Sequence, residues 1–158
     1  MKQTDNFKFD EANIMNELVY RNLSEDEKRQ ICAWKYGGEY DLYNLPAYEE
    51  MQVRQIGFMN PKSEKNYYGF WDESILVGFV NILEEKEEVF IGIGVNPDLC
   101  NKHYGQRMLL ITYEISKKLY PNKPLYLEVR TWNIRAVKCY QKAGFRIDGQ
   151  AYELTTGI

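Results

Sequence analysis

The chain has 158 residues, 44% hydrophobic and 27% charged, with 11 Gly and 5 Pro. That composition excludes disorder, collagen-like repeats and low complexity, and predicts one globular domain burying about 70% of its unfolded surface. The net charge of -3 is unevenly spread: residues 1–90 carry 10 Lys+Arg against 18 Asp+Glu, and residues 91–158 carry 10 against 5. A basic C-terminal part favours an anionic ligand and an acidic N-terminal part a cationic one, although charges that merely solvate helix faces would give the same count.

No run of about 18 apolar residues exists, and Lys2, Asp5, Lys8 and Asp10 interrupt the start, so neither a membrane span nor a secretory leader is expected. Cys32, Cys100 and Cys139 form no C-x-x-C pair and have a single histidine, His103, beside them. Neither a disulfide framework nor a metal site is expected, which fits a reducing cytoplasm.

Residues 1–15 lack periodicity and read as an N-terminal extension, either loose or a short helix, before a single domain over residues 16–158. A strand is predicted at Glu17–Arg21. Ser24 with Glu27 three residues on is a capping-box signature for a helix running to Trp34 or Tyr36, ended by Gly37-Gly38. Pro46 opens a second helix to about Ile56. Three hairpin-linked strands follow at Tyr67–Trp71, Ile75–Leu83 and Glu88–Val95. In the last, Val89, Ile91, Ile93 and Val95 share one face, while Gly92 and Gly94 strip the other of side chains, as happens where something approaches a backbone closely.

A loop over 96–104 leads into a helix over 105–119 with apolar residues at Met108, Leu109, Ile111, Ile115 and Leu119. Leu125–Val129 reads as a short buried strand. Asn133 caps a helix ending near Ala143, Gly144 terminates it, and Phe145 to about Leu154 forms the final strand. An antiparallel meander followed by strand-helix-strand crossovers implies an α/β fold with a mixed sheet flanked by helices.

A loop feeding a helix N-terminus is a ready anion site, because unpaired N–H groups and the helix dipole point at it. Here Lys102, His103 and Arg107 add positive character and Gly105 removes a side chain at the turn. Neither a Walker loop nor a dinucleotide fingerprint is present.

Asn133-Ile134-Arg135-Ala136 followed by Tyr140-Gln141-Lys142-Ala143-Gly144-Phe145 resembles the N-x-R-A and Y-x-K-x-G-F segment of the GNAT superfamily, the acetyl-CoA-dependent N-acetyltransferases. Upstream, Ile93-Gly94-Val95-Asn96-Pro97 is similar to that family's cofactor strand and its following proline. The resemblance spans Glu88 to Phe145. It implies acetyl-CoA as acetyl donor, with the pantetheine arm in a gap between the strands at Glu88–Val95 and Leu125–Val129.

On that resemblance the cofactor residues are Ile93, Gly94, Val95, Cys100, Asn101, Lys102, His103, Tyr104, Gly105, Gln106, Asn133, Ala136 and Tyr140. Tyr140 is implied as proton donor to the departing thiolate, its alternative being a tyrosine that packs on the sheet. The loop departs from the family's Q/R-x-x-G-x-G/A: Cys100 replaces Gln or Arg, and His103 replaces the first glycine. A residue with a side chain there must accept whatever dihedrals the turn demands.

The family's acceptor pocket falls after the first helix, where the stretch Tyr36 to Tyr43, with Tyr36, Glu39, Tyr40, Asp41 and Tyr43, offers aromatic walls and two acids for a cationic amine; Tyr36, Glu39 and Tyr40 are the substrate residues it implies, and the same cluster would also suit a surface turn. Glu88 and Glu39 are the candidate general bases. Cys139 reads as packing. The chain stops at a hairpin-like Thr155-Thr156-Gly157-Ile158, so the family's closing strand is expected to be missing. Its slot would be filled by residues 1–15 or by another subunit's strand, giving a homodimer. The expected function is transfer of an acetyl group to a primary amine of a small molecule or protein, with no nucleic acid and no membrane partner. The alternative is a catalytically degenerate acyl-CoA-binding or interaction module.

Overall fold

A computed structural model describes residues 1–3 and 18–148. The elements run β1 (Lys2–Gln3), β2 (Val19–Asn22), α1 (Glu25–Ala33), α2 (Tyr48–Arg54), β3 (Tyr67–Asp72), β4 (Ile75–Glu84), β5 (Val89–Val95), α3 (Tyr104–Leu119), β6 (Leu125–Tyr126), α4 (Ile134–Lys142) and β7 (Phe145–Arg146). One sheet orders them β2-β3-β4-β5-β6-β1-β7. The β5–β6 pairing is parallel and the others are antiparallel. This is the mixed α/β fold expected from the sequence.

Local chemistry accounts for the elements. Ser24 and Glu27 form the capping box that starts α1, and Asn133 Oδ1 accepts from the Ala136 N–H at 3.1 Å to start α4. Alternation along β4 and β5 divides the core. Val80, Ile82, Val89 and Ile91 pack with Met108 and Leu109 of α3. Leu76 packs on the other face with Ile31 of α1, Met51 of α2 and Phe58.

The slot between β6 and β7 is filled from within the chain. Lys2 lies opposite Tyr126 on one side and Arg146 on the other, and Gln3 lies opposite Phe145. The Met1 ammonium donates to Leu127 O at 2.6 Å, and the Leu127 N–H donates back to Met1 O at 2.9 Å. Of the two predicted occupants, the chain's own first residues hold the slot, so this gap is not a docking edge for a second subunit. Residues 4–15, Glu17 of the predicted first strand, residues 149–154 of the predicted last strand and the predicted turn at 155–158 lie outside the described residues. β6 is shorter than the predicted strand to Val129, because beyond Tyr126 the chain bonds to Met1 and no longer to β5.

One buried cation ties α1 to the entry of β3. Lys28, 2% exposed, donates to Glu25 Oε1 and Glu64 Oε1, both at 3.0 Å. Burial alone would lower the Lys28 pKa, but its two carboxylates outweigh that and raise it. Hydrogen bonds from Tyr48 and then Lys28 hold the Glu25 carboxyl below its ordinary 4.5.

Lys28→Ala should lower urea-denaturation stability by about 1–3 kcal/mol, because it opens a cavity and leaves two half-exposed carboxylates unpaired; Lys28→Met, which refills the volume, should recover most of it. Glu25 contributes stability that is complete above about pH 4.5 and is lost as pH falls through its lowered value, and that acid loss should be smaller in Lys28→Met. Lys2→Pro removes a donor from a strand paired on both sides and should cost about 1–3 kcal/mol in the same assay.

Candidate active site

The site begins where the sheet stops being a sheet. β5 and β6 are in register only at Val89↔Leu125 and Phe90↔Tyr126. That end is stapled: Lys123 Nζ donates to Glu84 Oε2 at 2.8 Å and to Glu85 O at 2.7 Å, Tyr126 Oη donates to Glu85 Oε1 at 2.7 Å, and the Phe90 and Tyr126 rings lie 5.5 Å apart. Beyond it the strands diverge. The Val89 N–H donates to Pro124 O, on the β6 side. Alternation therefore turns the main-chain groups of Ile93 and Val95 into the gap, where β6 no longer answers them.

The far end of the gap is the loop into α3. Pro97–Leu99 forms one 3-10 turn anchored by Asn96, whose Oδ1 accepts from the Asp98 N–H at 3.0 Å and whose Nδ2 donates to Leu76 O at 3.1 Å. Asn101 and His103 then take left-handed conformations, with φ of 65° and 66°. His103 stands where the resembled pattern has glycine, and it takes the left-handed conformation that glycine adopts most readily. The Arg107 N–H makes a helical bond to His103 O at 3.2 Å, leaving the N–H groups of Tyr104, Gly105 and Gln106 outside the ladder. A cleft of about 290 Å³ beside them is lined by His103, Gln106, Arg107 and Leu110. Lys102 and His103 are exposed there.

Three contacts fix this loop against the rest of the molecule. Tyr104 Oη donates to Asp72 Oδ2 at 2.6 Å, tying α3 to the β3–β4 turn. A Cβ on Gly105 would stand 3.1 Å from Cys139 Sγ and 3.6 Å from Val95 Cγ2, so the missing side chain lets α3 and α4 approach. Gln106 Nε2 donates to Lys142 O at 3.4 Å. Cys139 is a packing thiol, raised in pKa by burial. Cys100 Sγ donates to Asn96 O at 3.7 Å, and burial raises it too.

Tyr140, on α4, packs against the α3-side core. Burial, with smaller contributions from Cys139 and Tyr43, pushes its phenol well above the usual range, so it is neutral and keeps its proton at neutral pH. Asn133 is 7% exposed, and its amide is committed to the Ala136 cap and to Tyr43 Oη, which accepts from Nδ2 at 3.0 Å.

The segment after α1 lies over the open end. Tyr36 Oη donates to Val95 O at 2.5 Å, and burial holds that phenol neutral. The 3-10 turn Gly38–Tyr43 brings Tyr40 and Tyr43 against Trp132, with ring centroids 5.6 and 6.3 Å away. The Arg135 guanidinium lies 4.1 Å over the Tyr40 ring, so the face expected to receive a substrate cation already carries one of the chain's own.

The structure brings Tyr36 to Val95, Tyr40 to Trp132 and Arg135, Asn133 to Tyr43, and Gly105 to Cys139 and Val95. Glu39 lies in the same turn as Tyr40, exposed, with no ion pair among the described residues. Glu88 is not brought there: it sits at the stapled end of β5 beside Lys2 (3.8 Å), about 23 Å along the strand from Val95. The strand glycines also need correcting. Gly92 and Gly94 face the α1–α2 side, and what approaches Gly94 is the chain's own Phe79 ring, which fills the space a Cβ would take. Asp72, Asn96 and Trp132 make contacts at this site that the sequence did not assign to them. Only Asn96, an Asn before Pro-Asp, carried a local signal.

A family model described as acetyltransferase (GNAT) family matches residues 18–145. A comparison with curated proteins finds no match. Among solved structures, a spermidine N-acetyltransferase chimera from Vibrio cholerae and hSSAT is similar at 19% identity, over 84% of this chain and 82% of that one, with a TM-score of 0.68. A spermidine N-acetyltransferase from Vibrio cholerae in complex with CoA and spermine is similar at 18% identity, over 84% and 83%, with a TM-score of 0.66. A GNAT-family acetyltransferase from Bacillus anthracis is similar at 16% identity, over 84% and 81%, with a TM-score of 0.64.

His103→Gly should raise stability by about 0.5–1 kcal/mol through relief of the left-handed backbone, while His103→Val should lower it by about 1–2 kcal/mol. Thermal denaturation of the two variants, moving in opposite directions, checks this.

Proposed function

The chain belongs to the GNAT acetyltransferase family, and from that membership and the site's geometry we propose that it transfers the acetyl group of acetyl-CoA directly to a primary amine bound under the Tyr36–Tyr43 segment. The single observation that carries the reading is the gap itself. A strand whose main chain at Ile93 is not answered by β6, and whose Val95 carbonyl is met only by the Tyr36 hydroxyl, leads to a left-handed loop with three N–H groups outside the helix ladder, and the half-buried Tyr140 on α4 stays neutral.

These residues fit acetyl-CoA. The main chain of Ile93 and Val95 would hold the pantetheine amides as an added strand would be held, and the N–H groups of residues 101–106, with Lys102 and His103, would hold the pyrophosphate. When bound, the group supplies an acetyl carbon already activated as a thioester. Tyr140 donates its proton to the departing sulfur; its raised pKa keeps that proton in place beforehand. Glu39, unpaired beside the aromatic rim, takes the proton that the acceptor ammonium must lose before it can attack, directly or through water. Tyr36 ties the acceptor segment to the cofactor strand. No covalent acyl-enzyme is needed, and Cys139 stays in packing against Gly105.

Tyr140→Phe should lower kcat by about 10²–10⁴-fold while calorimetric titration still shows acetyl-CoA binding within about threefold of the unchanged chain. Loss of binding together with activity would assign Tyr140 to packing. Absence of any acetyl-CoA binding by the unchanged chain up to about millimolar concentration, where binding is worth roughly 4 kcal/mol, would favour the non-catalytic module.

A further inference from the structure

The acceptor rim carries one side chain whose charge has no use in the fold. Arg135 stands in the first turn of α4, exposed, with its guanidinium carbon over the Tyr40 ring, 4.1 Å from the centroid. Stacking engages the face of a guanidinium and leaves its five in-plane N–H groups pointing outward. Glu39 and Asp41 flank Tyr40 in sequence, yet neither pairs with Arg135, and no carboxylate among the described residues does. By contrast, the buried Lys28 and the half-buried Lys2 and Lys123 are each bonded to carboxylates.

The stack is itself held in place. Tyr40 packs on Trp132, Trp132 on Tyr43, and Tyr43 Oη accepts from Asn133, two residues before Arg135. The arginine therefore lies at the mouth of the gap on a fixed aromatic shelf. Its charge reaches the Tyr36 hydroxyl and the Cys100 thiol, lowering both slightly against the dominant effect of burial. A preorganised, unpaired guanidinium beside an aromatic wall is the chemistry that receives a carboxylate through two parallel hydrogen bonds.

We propose that the acceptor is an amine that also bears a carboxylate, an amino-acid-like molecule whose carboxylate is received by Arg135 and whose body lies against Tyr40, Tyr43 and Trp132. This rests on the acetyl-transfer reading above. It runs against a polyamine acceptor: Arg135 occupies the Tyr40 face that a substrate ammonium would use and repels further positive charge. The same guanidinium chemistry would also receive a phosphate of the cofactor, so the two anions must be separated by experiment.

The test is acetyl-CoA turnover by the unchanged chain on amino acids paired with their decarboxylated amines: tyrosine with tyramine, tryptophan with tryptamine, lysine with cadaverine, and spermidine alongside. In at least one pair the amino acid should exceed its amine by about tenfold or more in kcat/KM. Arg135→Gln should erase that ratio by raising the KM of the amino acid, with the amine changed by less than about twofold and the KM for acetyl-CoA unchanged. Arg135→Lys should retain part of it.

Equal rates within every pair, or turnover confined to the amines or spermidine, would overturn the carboxylate acceptor and leave acetyl transfer standing. A rise in the acetyl-CoA KM on Arg135→Gln, with the pair ratio intact, would give the guanidinium to the cofactor's phosphates and overturn the proposal. No turnover of any probe, together with no calorimetric binding of acetyl-CoA, would remove the acetyl-transfer reading and this inference with it.

Discussion

Everything in this molecule turns on a ladder that stops after two positions. A parallel strand pair gains stability from each further position it forms, so a pair that ends at Tyr126 while β5 runs on to Val95 must have the main-chain groups beyond it satisfied elsewhere. β6 finds its bonds on the other side, where Leu127 exchanges both main-chain hydrogen bonds with Met1. β5 is met in part by Tyr36, whose hydroxyl donates to Val95 O. The opening is thus a consequence of where each strand's main chain is bonded, with the Glu84–Glu85 turn clamped by Lys123 and Tyr126 as the fixed end.

The two ends of that opening are built from opposite chemistry. The closed end is an ion-paired surface in which Lys2 and Lys123 take up part of the acidic excess of the first ninety residues. The open end has few pairs. Two of its cations, Lys102 and Arg135, carry no ion pair among the described residues, and burial keeps the Tyr36 and Tyr140 phenols neutral. Charge that a fold does not neutralise is charge left for ligands. The left-handed Asn101 and His103 add backbone strain at the same place, which the packing of Gly105 on Cys139 and the Tyr104–Asp72 bond must hold.

Much of the fold was legible because its signals are local. The capping box at Ser24 and Glu27, the cap at Asn133, the alternation in β4 and β5 and the helical spacing of Met108, Leu109 and Ile115 each depend on neighbours within one or two turns. The loop over residues 100–105 was legible as a helix start with open N–H groups because helix N-termini carry unpaired N–H groups whatever surrounds them. Glu88 misled because a strand's sequence shows which face a residue is on but not which end of the strand the chemistry occupies. The strand glycines misled for a related reason: a residue without a side chain leaves room, and sequence does not say whether a ligand or a neighbouring Phe79 fills it.

By itself the sequence determined the mixed α/β order, the helix caps, the basic glycine-containing loop and the motif from Asn133 to Phe145. Those follow from backbone hydrogen bonding and side-chain periodicity, which act over short distances along the chain. Only the tertiary structure decided that Lys2–Gln3 completes the sheet, that β5 and β6 part after Tyr126, and that Tyr40, Tyr43, Trp132 and Arg135 form one rim. The bond from Asn133 to Tyr43 joins residues 90 apart, and that from Met1 to Leu127 joins residues 126 apart. Such contacts depend on how elements pack once formed, and no local pattern in the chain encodes them.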